Sequence, residues 1–169
     1  KNILGEGFNI LVRLHPRDDL KNYESFQNIE NLCIELAGKE QVKQEGHLNR
    51  IEMDEGDLDN LRKILRYSDL AVNFRSSITL ETCLYNIPTI NLAYNNYALY
   101  YQMDHYIPIL KSGAVKLAHN QGEFIEAAKN YLRNPKLNSS ERLKIASEYI
   151  PFQDGLSYKR NVDFLKEII

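Results

Sequence analysis

The sequence predicts an α/β domain built on a central parallel sheet with helices on both faces. Three observations lead to it. The strand candidates, residues 9–14, 32–36, 70–74, 89–92 and 115–117, are short, continuous apolar runs. A strand with one wet face alternates apolar with polar residues, whereas a strand buried on both faces does not. Segments with helical spacing fall between these runs: Leu58, Leu61, Ile64 and Leu65 on one, Leu80, Cys83 and Leu84 on another. Turn signals separate the two kinds, as at His15-Pro16 and at Asn86 followed by Pro88. Alternation of buried strands with helices is the pattern of a three-layer α/β/α, Rossmann-like domain.

Each element has a local reason. Pro16 ends the first strand because it cannot donate to a ladder. Asp18 and Asp19 can cap a helical turn running through Tyr23. Residues 38–57 are polar and without period, which predicts a loop or surface insertion. Asp57 is the expected N-cap of the helix carrying Leu58 to Leu65. A second helix covers 76–85, with Leu80, Cys83 and Leu84 inward. Asn86 suits the left-handed position after it, and Pro88 prevents continuation. Residues 94–106 are rich in Tyr and Asn. Three helices follow the last strand. Phe124, Ala128, Tyr131 and Leu132 mark the first. Asn138 with Glu141 gives the second a start like a capping box. Tyr158, Val162, Leu165 and Ile169 mark the third.

The 169 residues suit one domain spanning 1–169. Apolar residues make up 43% and charged residues 26%, and the net charge of -2 provides no global field for nucleic acid or an anionic membrane. Cys33 and Cys83 lie in apolar runs away from other ligand residues, so both are expected as buried free thiols in a reducing cytoplasm. No apolar run approaches the ~20 residues of a membrane span, and no signal peptide is expected. The chain begins at Lys1, so a piece of a longer protein is expected. The sequence contains no His-Glu-x-x-His, no Gly-x-Ser-x-Gly and no P-loop. Gly5 and Gly7 precede the first strand, so they do not form a dinucleotide fingerprint. No metal and no cofactor are expected.

Parallel sheets bind ligands at the carboxyl ends of their strands. Two such ends are unusual: Arg13-Leu14-His15-Pro16-Arg17, and Asn73-Phe74-Arg75-Ser76-Ser77 followed by Glu81. In the second, a strand runs into a helix opened by two serines. A helix start presents unpaired N–H groups and about half a unit of positive charge, which suits a phosphate. Ser76 and Ser77 add hydroxyl donors, and Arg75 adds a cation. Glu81 lies four residues after Ser77, on the same helix side, where a carboxylate can accept from the two hydroxyls of a ribose. The plainer alternative makes one serine an N-cap contributing about 1 kcal/mol and Glu81 a solvated helix residue. At the first end, His15 can donate to a phosphoryl oxygen or protonate a leaving group, and Arg17 can reach phosphate. Their alternatives are a satisfied loop histidine and a surface charge. His47, His105 and His119 have no comparable context. The tyrosines of 94–106 can stack on a base or sugar, or simply pack. Asp154-Gly155 reads as the turn that starts the last helix.

The order of these pieces resembles the C-terminal domain of bacterial GT-B-fold transferases that build surface polysaccharides. It runs from His15-Pro16-Arg17, through Ser68-Asp69 before a strand, to Arg75-Ser76-Ser77 with Glu81, then Asn86-Ile87-Pro88-Thr89-Ile90 and Asp154-Gly155. It is similar to capsule and teichoic-acid enzymes, including CDP-glycerol glycerophosphotransferases. The His-Pro and Ser-Ser pair is also similar to that of bacterial sialyltransferases and Kdo transferases. The resemblance covers residues 9–169. It implies that His15, Ser76 and Ser77 contact the phosphate of a CMP-, CDP- or UDP-linked donor, and that Glu81 contacts ribose. It also implies an N-terminal acceptor domain that supplies the catalytic base, a fragment that turns over nothing alone, and a full enzyme at the inner face of the membrane. UDP-N-acetylglucosamine 2-epimerases share the fold, but their turn is Gly-rich and their helix carries two adjacent acids. Here the turn is Arg75-Ser76-Ser77, and Thr82 follows Glu81, which disfavours that reading. A non-catalytic Rossmann-like binding module is the other alternative.

Overall fold

The computed structural model describes residues 7–15, 18–40, 51–52 and 54–168. The fold is mixed α/β with parallel sheets, of Rossmann-like type. Two compact units make up the chain, residues 1–67 and 68–169. The parallel sheet, expected as one layer, is described as two ladders, one in each unit. The strands are only three to five residues long, and slanted parallel bonds give each short pair little stability of its own. Each ladder therefore relies on the helices and side chains of its own unit.

In the first unit, β1 (Ile10–Leu14) pairs with β2 (Leu32–Leu36) in parallel, from Ile10 opposite Leu32 to Leu14 opposite Leu36. The crossover holds a 3-10 helix, Leu20–Phe26, which Asp19 caps by accepting from the Lys21 N–H at 3.0 Å. Cys33 is exposed, not buried. It sits opposite Leu11 in the register, and Leu11 is itself 41% exposed, so the pair shares the open face of the ladder. The polar insertion carries two short antiparallel strands, β3 (Lys39–Glu40) and β4 (Ile51–Glu52). Its tip, with His47, lies outside the described residues.

The helix α1 (Glu55–Tyr67) follows. Its cap is Asp54, not Asp57. The Asp54 carboxylate accepts from the Asp57 N–H at 2.8 Å, and its carbonyl accepts from the Leu58 N–H at 3.1 Å. Asp57 instead turns inward. It accepts from the Gly38 N–H at 2.9 Å and from Arg13 at 2.6 Å. Arg13 stands opposite Glu35 on β2 and donates to it at 2.7 Å. Burial opposes the guanidinium charge, yet the bonds from both carboxylates outweigh it and hold the Arg13 pKa above its ordinary value. This cluster ties β1, β2 and α1 together.

In the second unit, β5 (Ala71–Asn73), β6 (Thr89–Leu92) and β7 (Lys116–Ala118) form a parallel sheet in that order. The central strand β6 is shielded from Thr89 through Asn91. Helix α2 (Ile78–Leu84) connects β5 to β6. Asn86 is left-handed at φ 55°, as its place before Pro88 predicts. The Tyr-rich stretch forms a 3-10 helix, Asn95–Gln102, then α3 (Ile107–Lys111). Cys83, Ile109, Ala114, Val115, Ile145 and Ala146 make the core under α2, with Leu80 and Leu84 packed against it.

Three helices close the unit: α4 (Gln121–Arg133), α5 (Ser139–Tyr149) and α6 (Ser157–Ile168). The capping box belongs to α4, not α5. Asn120 accepts from the Glu123 N–H at 3.0 Å, and its amide donates back to Glu123 at 2.8 Å. Asn138 is left-handed at φ 58° and caps nothing with its side chain. The start of α5 is tied instead by Asn86, whose amide donates to the Ser139 hydroxyl at 2.8 Å. Asp154 and Gly155 form the expected turn, with Gly155 at φ 72° and Asp154 accepting from the Leu156 N–H at 3.1 Å. Tyr158, Val162 and Leu165 are exposed, and α6 buries none of its residues. Ile169 lies outside the described residues.

Candidate functional site

The turn after β5 departs from ordinary backbone geometry. Arg75 stands at φ 41°, in the left-handed region, which costs a side-chain-bearing residue about 1–2 kcal/mol. A tyrosine holds it there. The Tyr101 hydroxyl accepts from the Arg75 N–H at 2.9 Å and donates to the Leu92 carbonyl, the last of β6, at 2.9 Å. Tyr101 is 2% exposed. Its ring is met edge-on by Phe74 at 6.1 Å and by Tyr106 at 5.1 Å.

The serines that follow are not conventional caps. Ser77 has helical angles, φ -58° and ψ -21°, and its hydroxyl makes no capping bond. It is exposed. Among the described residues, nothing accepts from its N–H, and its carbonyl accepts from the Leu80 N–H at 2.9 Å. Ser76 is half-buried, and its hydroxyl accepts only a long bond from the Ile78 N–H, at 3.4 Å. Its own N–H reaches Asn73 Oδ1 at 3.4 Å. The cap alternative therefore does not describe Ser77. Glu81 follows one turn on, half-buried, with Oε2 shielded and without a hydrogen-bond partner.

Beneath the turn lies a buried polar network. Thr79 and Tyr106 share a hydroxyl–hydroxyl bond of 2.8 Å. The Asn91 amide donates to the Tyr106 hydroxyl at 3.1 Å. Thr79 Oγ1 also lies 3.2 Å from Asn73 Oδ1 and 3.4 Å from Asn91 Oδ1. The ladder continues through Thr82, which donates to the Thr79 carbonyl at 2.8 Å, and Thr89, which donates to Thr82 at 2.7 Å. Thr79, Thr82, Thr89 and Asn91 are fully shielded. Such groups are stable inside only when paired, and once paired they rigidify what they hold. Sequence reasoning missed all of them. The available signal was polarity at inward positions: threonines three apart on the apolar face of α2, and Asn91 in the middle of a strand.

Tyr101 and Tyr106 thus pack and hydrogen-bond; they do not present open faces for stacking. Burial pushes the Tyr101 phenol up to about 12 and the Cys83 thiol up to about 11, and it raises Tyr106 and Tyr131 as well. Each group holds its proton more tightly folded than unfolded. The stability it contributes is full below the ordinary values of 9.0 and 10.0 and is lost as pH rises through about 11 and 12. Urea midpoints are expected to be flat up to about pH 9 and to fall steeply towards pH 12. Tyrosinate absorbance should rise in two stages, exposed rings first and the buried ones together with unfolding.

His15 lies exposed just past β1, and its carbonyl accepts from the Asp18 N–H at 2.8 Å. The Tyr23 hydroxyl and the Asp19 N–H, with a smaller contribution from the His15 charge, hold Asp18 below the usual carboxylate range. Arg17 and Pro16 lie outside the described residues. His15 belongs to the first unit; Arg75, Ser76, Ser77 and Glu81 share one turn and helix of the second. His119 is engaged by Glu123 at 3.0 Å beside the α4 cap, and His105 is exposed and edge-on to Tyr106. Among the described residues, no three His, Cys, Asp or Glu side chains are grouped to hold a metal, and no helix is long and apolar enough to cross a membrane. Comparison with known protein families, with curated proteins and with solved structures finds no match for this chain.

Proposed function

We propose that this chain is the donor-binding part of a GT-B-type glycosyltransferase of surface polysaccharide synthesis, and that the turn from Arg75 to Ser77 receives the donor phosphate. The observation that carries the reading is Ser77. It is exposed at the carboxyl end of a parallel strand, among the described residues its N–H and hydroxyl are not spent on the fold, and it sits two residues after a left-handed arginine. Donors held in place before charge develops cost no reorganisation when the bond to a phosphate leaving group breaks.

In this reading the Ser76 and Ser77 hydroxyls and the Ser77 N–H bind the phosphate, with Arg75 adding charge. Glu81, half-buried one turn further on, accepts from the ribose hydroxyls. The donor is a nucleotide-activated sugar or polyol phosphate, linked through CMP, CDP or UDP. An N-terminal partner domain supplies the acceptor and the base, at the inner face of the membrane. The chain alone then binds nucleotide weakly and turns over nothing.

Calorimetric titration with CMP, CDP and UDP tests this. Hydrogen bonds to a charged group contribute about 1.5–3 kcal/mol each, so Ser76→Ala/Ser77→Ala is expected to weaken binding at least tenfold. Thermal unfolding should change little, since Ser77 caps nothing and the Ser76 hydroxyl gives up only a long bond of 3.4 Å from the Ile78 N–H. A double variant that loses stability while the wild-type chain shows no binding would return the serines to a purely structural role.

A further inference from the structure

We propose that Tyr101 is the positioning residue of this turn, its hydroxyl holding Arg75 in the left-handed conformation that presents Ser76 and Ser77 to a ligand. The functional half of this inference rests on the phosphate reading of the turn; the conformational half does not.

A tyrosine hydroxyl has one proton to give and lone pairs to accept with. Tyr101 uses both capacities on the backbone, taking the Arg75 N–H and giving its proton to the Leu92 carbonyl. It thereby ties the turn after β5 to the end of β6. A hydrogen bond of this kind is comparable in size to the penalty of a left-handed arginine, so the hydroxyl decides which conformation Arg75 keeps. Without it, Arg75 relaxes to negative φ, which reorients the peptide that leads into Ser76. The ring cannot swing away easily, because Tyr101 is buried between Phe74 and Tyr106. Tyr106 fixes Thr79 from the same segment of chain. The Tyr-rich stretch therefore grips the turn at Arg75 and the start of α2 at Thr79. The hydroxyl touches no ligand in this scheme; it acts through the Arg75 backbone.

The test has one arm independent of any ligand. Amide hydrogen exchange on the wild-type chain is expected to show Arg75 protected, although it lies in a surface turn. An unprotected Arg75 amide overturns the proposal with no variant needed. In Tyr101→Phe the Arg75 amide should exchange at least tenfold faster, while amides of β6 keep their protection. The second arm is a cycle with Arg75→Gly, read by CDP affinity. Glycine occupies φ 41° without strain. Tyr101→Phe should therefore weaken CDP several-fold when residue 75 is arginine and hardly at all when it is glycine. Equal losses in both backgrounds would mean that Tyr101 supports the fold generally and positions nothing. If the wild-type chain binds no nucleotide, the phosphate reading falls, and the exchange arm alone decides whether Tyr101 holds the turn.

Discussion

Arg142→Met is expected to lower the unfolding free energy by about 3–5 kcal/mol. Arg142 is 0% exposed, and among the described residues its hydrogen-bond partners are all neutral. Its guanidinium donates to Asn86 Oδ1 at 3.0 Å, to the Leu137 carbonyl at 2.7 Å and to the Pro135 carbonyl at 2.9 Å. Burial lowers its pKa from the ordinary value, which marks a charge kept at a cost. Methionine fills much of the volume but leaves three acceptors unpaired, each costing about 1–3 kcal/mol before relaxation. The damage should reach further than the side chain. Asn86 is the left-handed residue ending α2, and it also holds Ser139 at the start of α5. Urea unfolding of Arg142→Met and Arg142→Lys measures the effect. Lysine should fall between wild type and methionine, because one ammonium cannot serve three acceptors set in a fork. A methionine variant within 1 kcal/mol of wild type would mean that the fork contributes little.

Arg13→Met is expected to cost about 2–3 kcal/mol, less because its site is wetter. The side chains of Arg13 and Asp57 are 15% and 11% exposed. Removing the guanidinium leaves Asp57 with the Gly38 N–H as its remaining donor, and Oδ2 is already without a partner. Glu35 keeps only long bonds of 3.3 Å from Asn60. Arg13→Met/Asp57→Asn should be less damaged than Arg13→Met alone, since a neutral amide is cheaper to leave half-paired than a carboxylate. Thermal unfolding of the two variants side by side checks this, and a double variant worse than the single one would contradict it.

What the sequence made legible depended on whether the cause was local. The strand β6 was readable because its apolar run lies between Pro88 and a polar stretch. The stop of α2 was readable because Asn86 and Pro88 act within four residues of it. The turn at Arg75 was readable as a strand running into a helix opened by serines. Its left-handed backbone was not, since the tyrosine that holds it stands 26 residues away. The cap of α1 was misassigned for a similar reason. Asp54 and Asp57 both precede apolar positions, and only the distant Gly38 and Arg13 show which one turns inward. Cys33 looked buried because it lies in an apolar run, yet its register partner Leu11 shares an open face. The polar network from Asn73 to Thr89 escaped notice because its members look unfavourable at inward positions, and Thr79 and Asn91 meet a partner in the distant Tyr106. The presence of two separate parallel ladders, one in each unit, had no local signature at all.

Amide-resolved NMR titration of the chain with CDP and UDP tests the central claim most directly. The account predicts saturable shifts centred on the Arg75, Ser76 and Ser77 amides, with a smaller response at Glu81, and their loss in Ser76→Ala/Ser77→Ala. Spectra that stay unchanged at those amides into the millimolar range, or that respond only elsewhere, would contradict it.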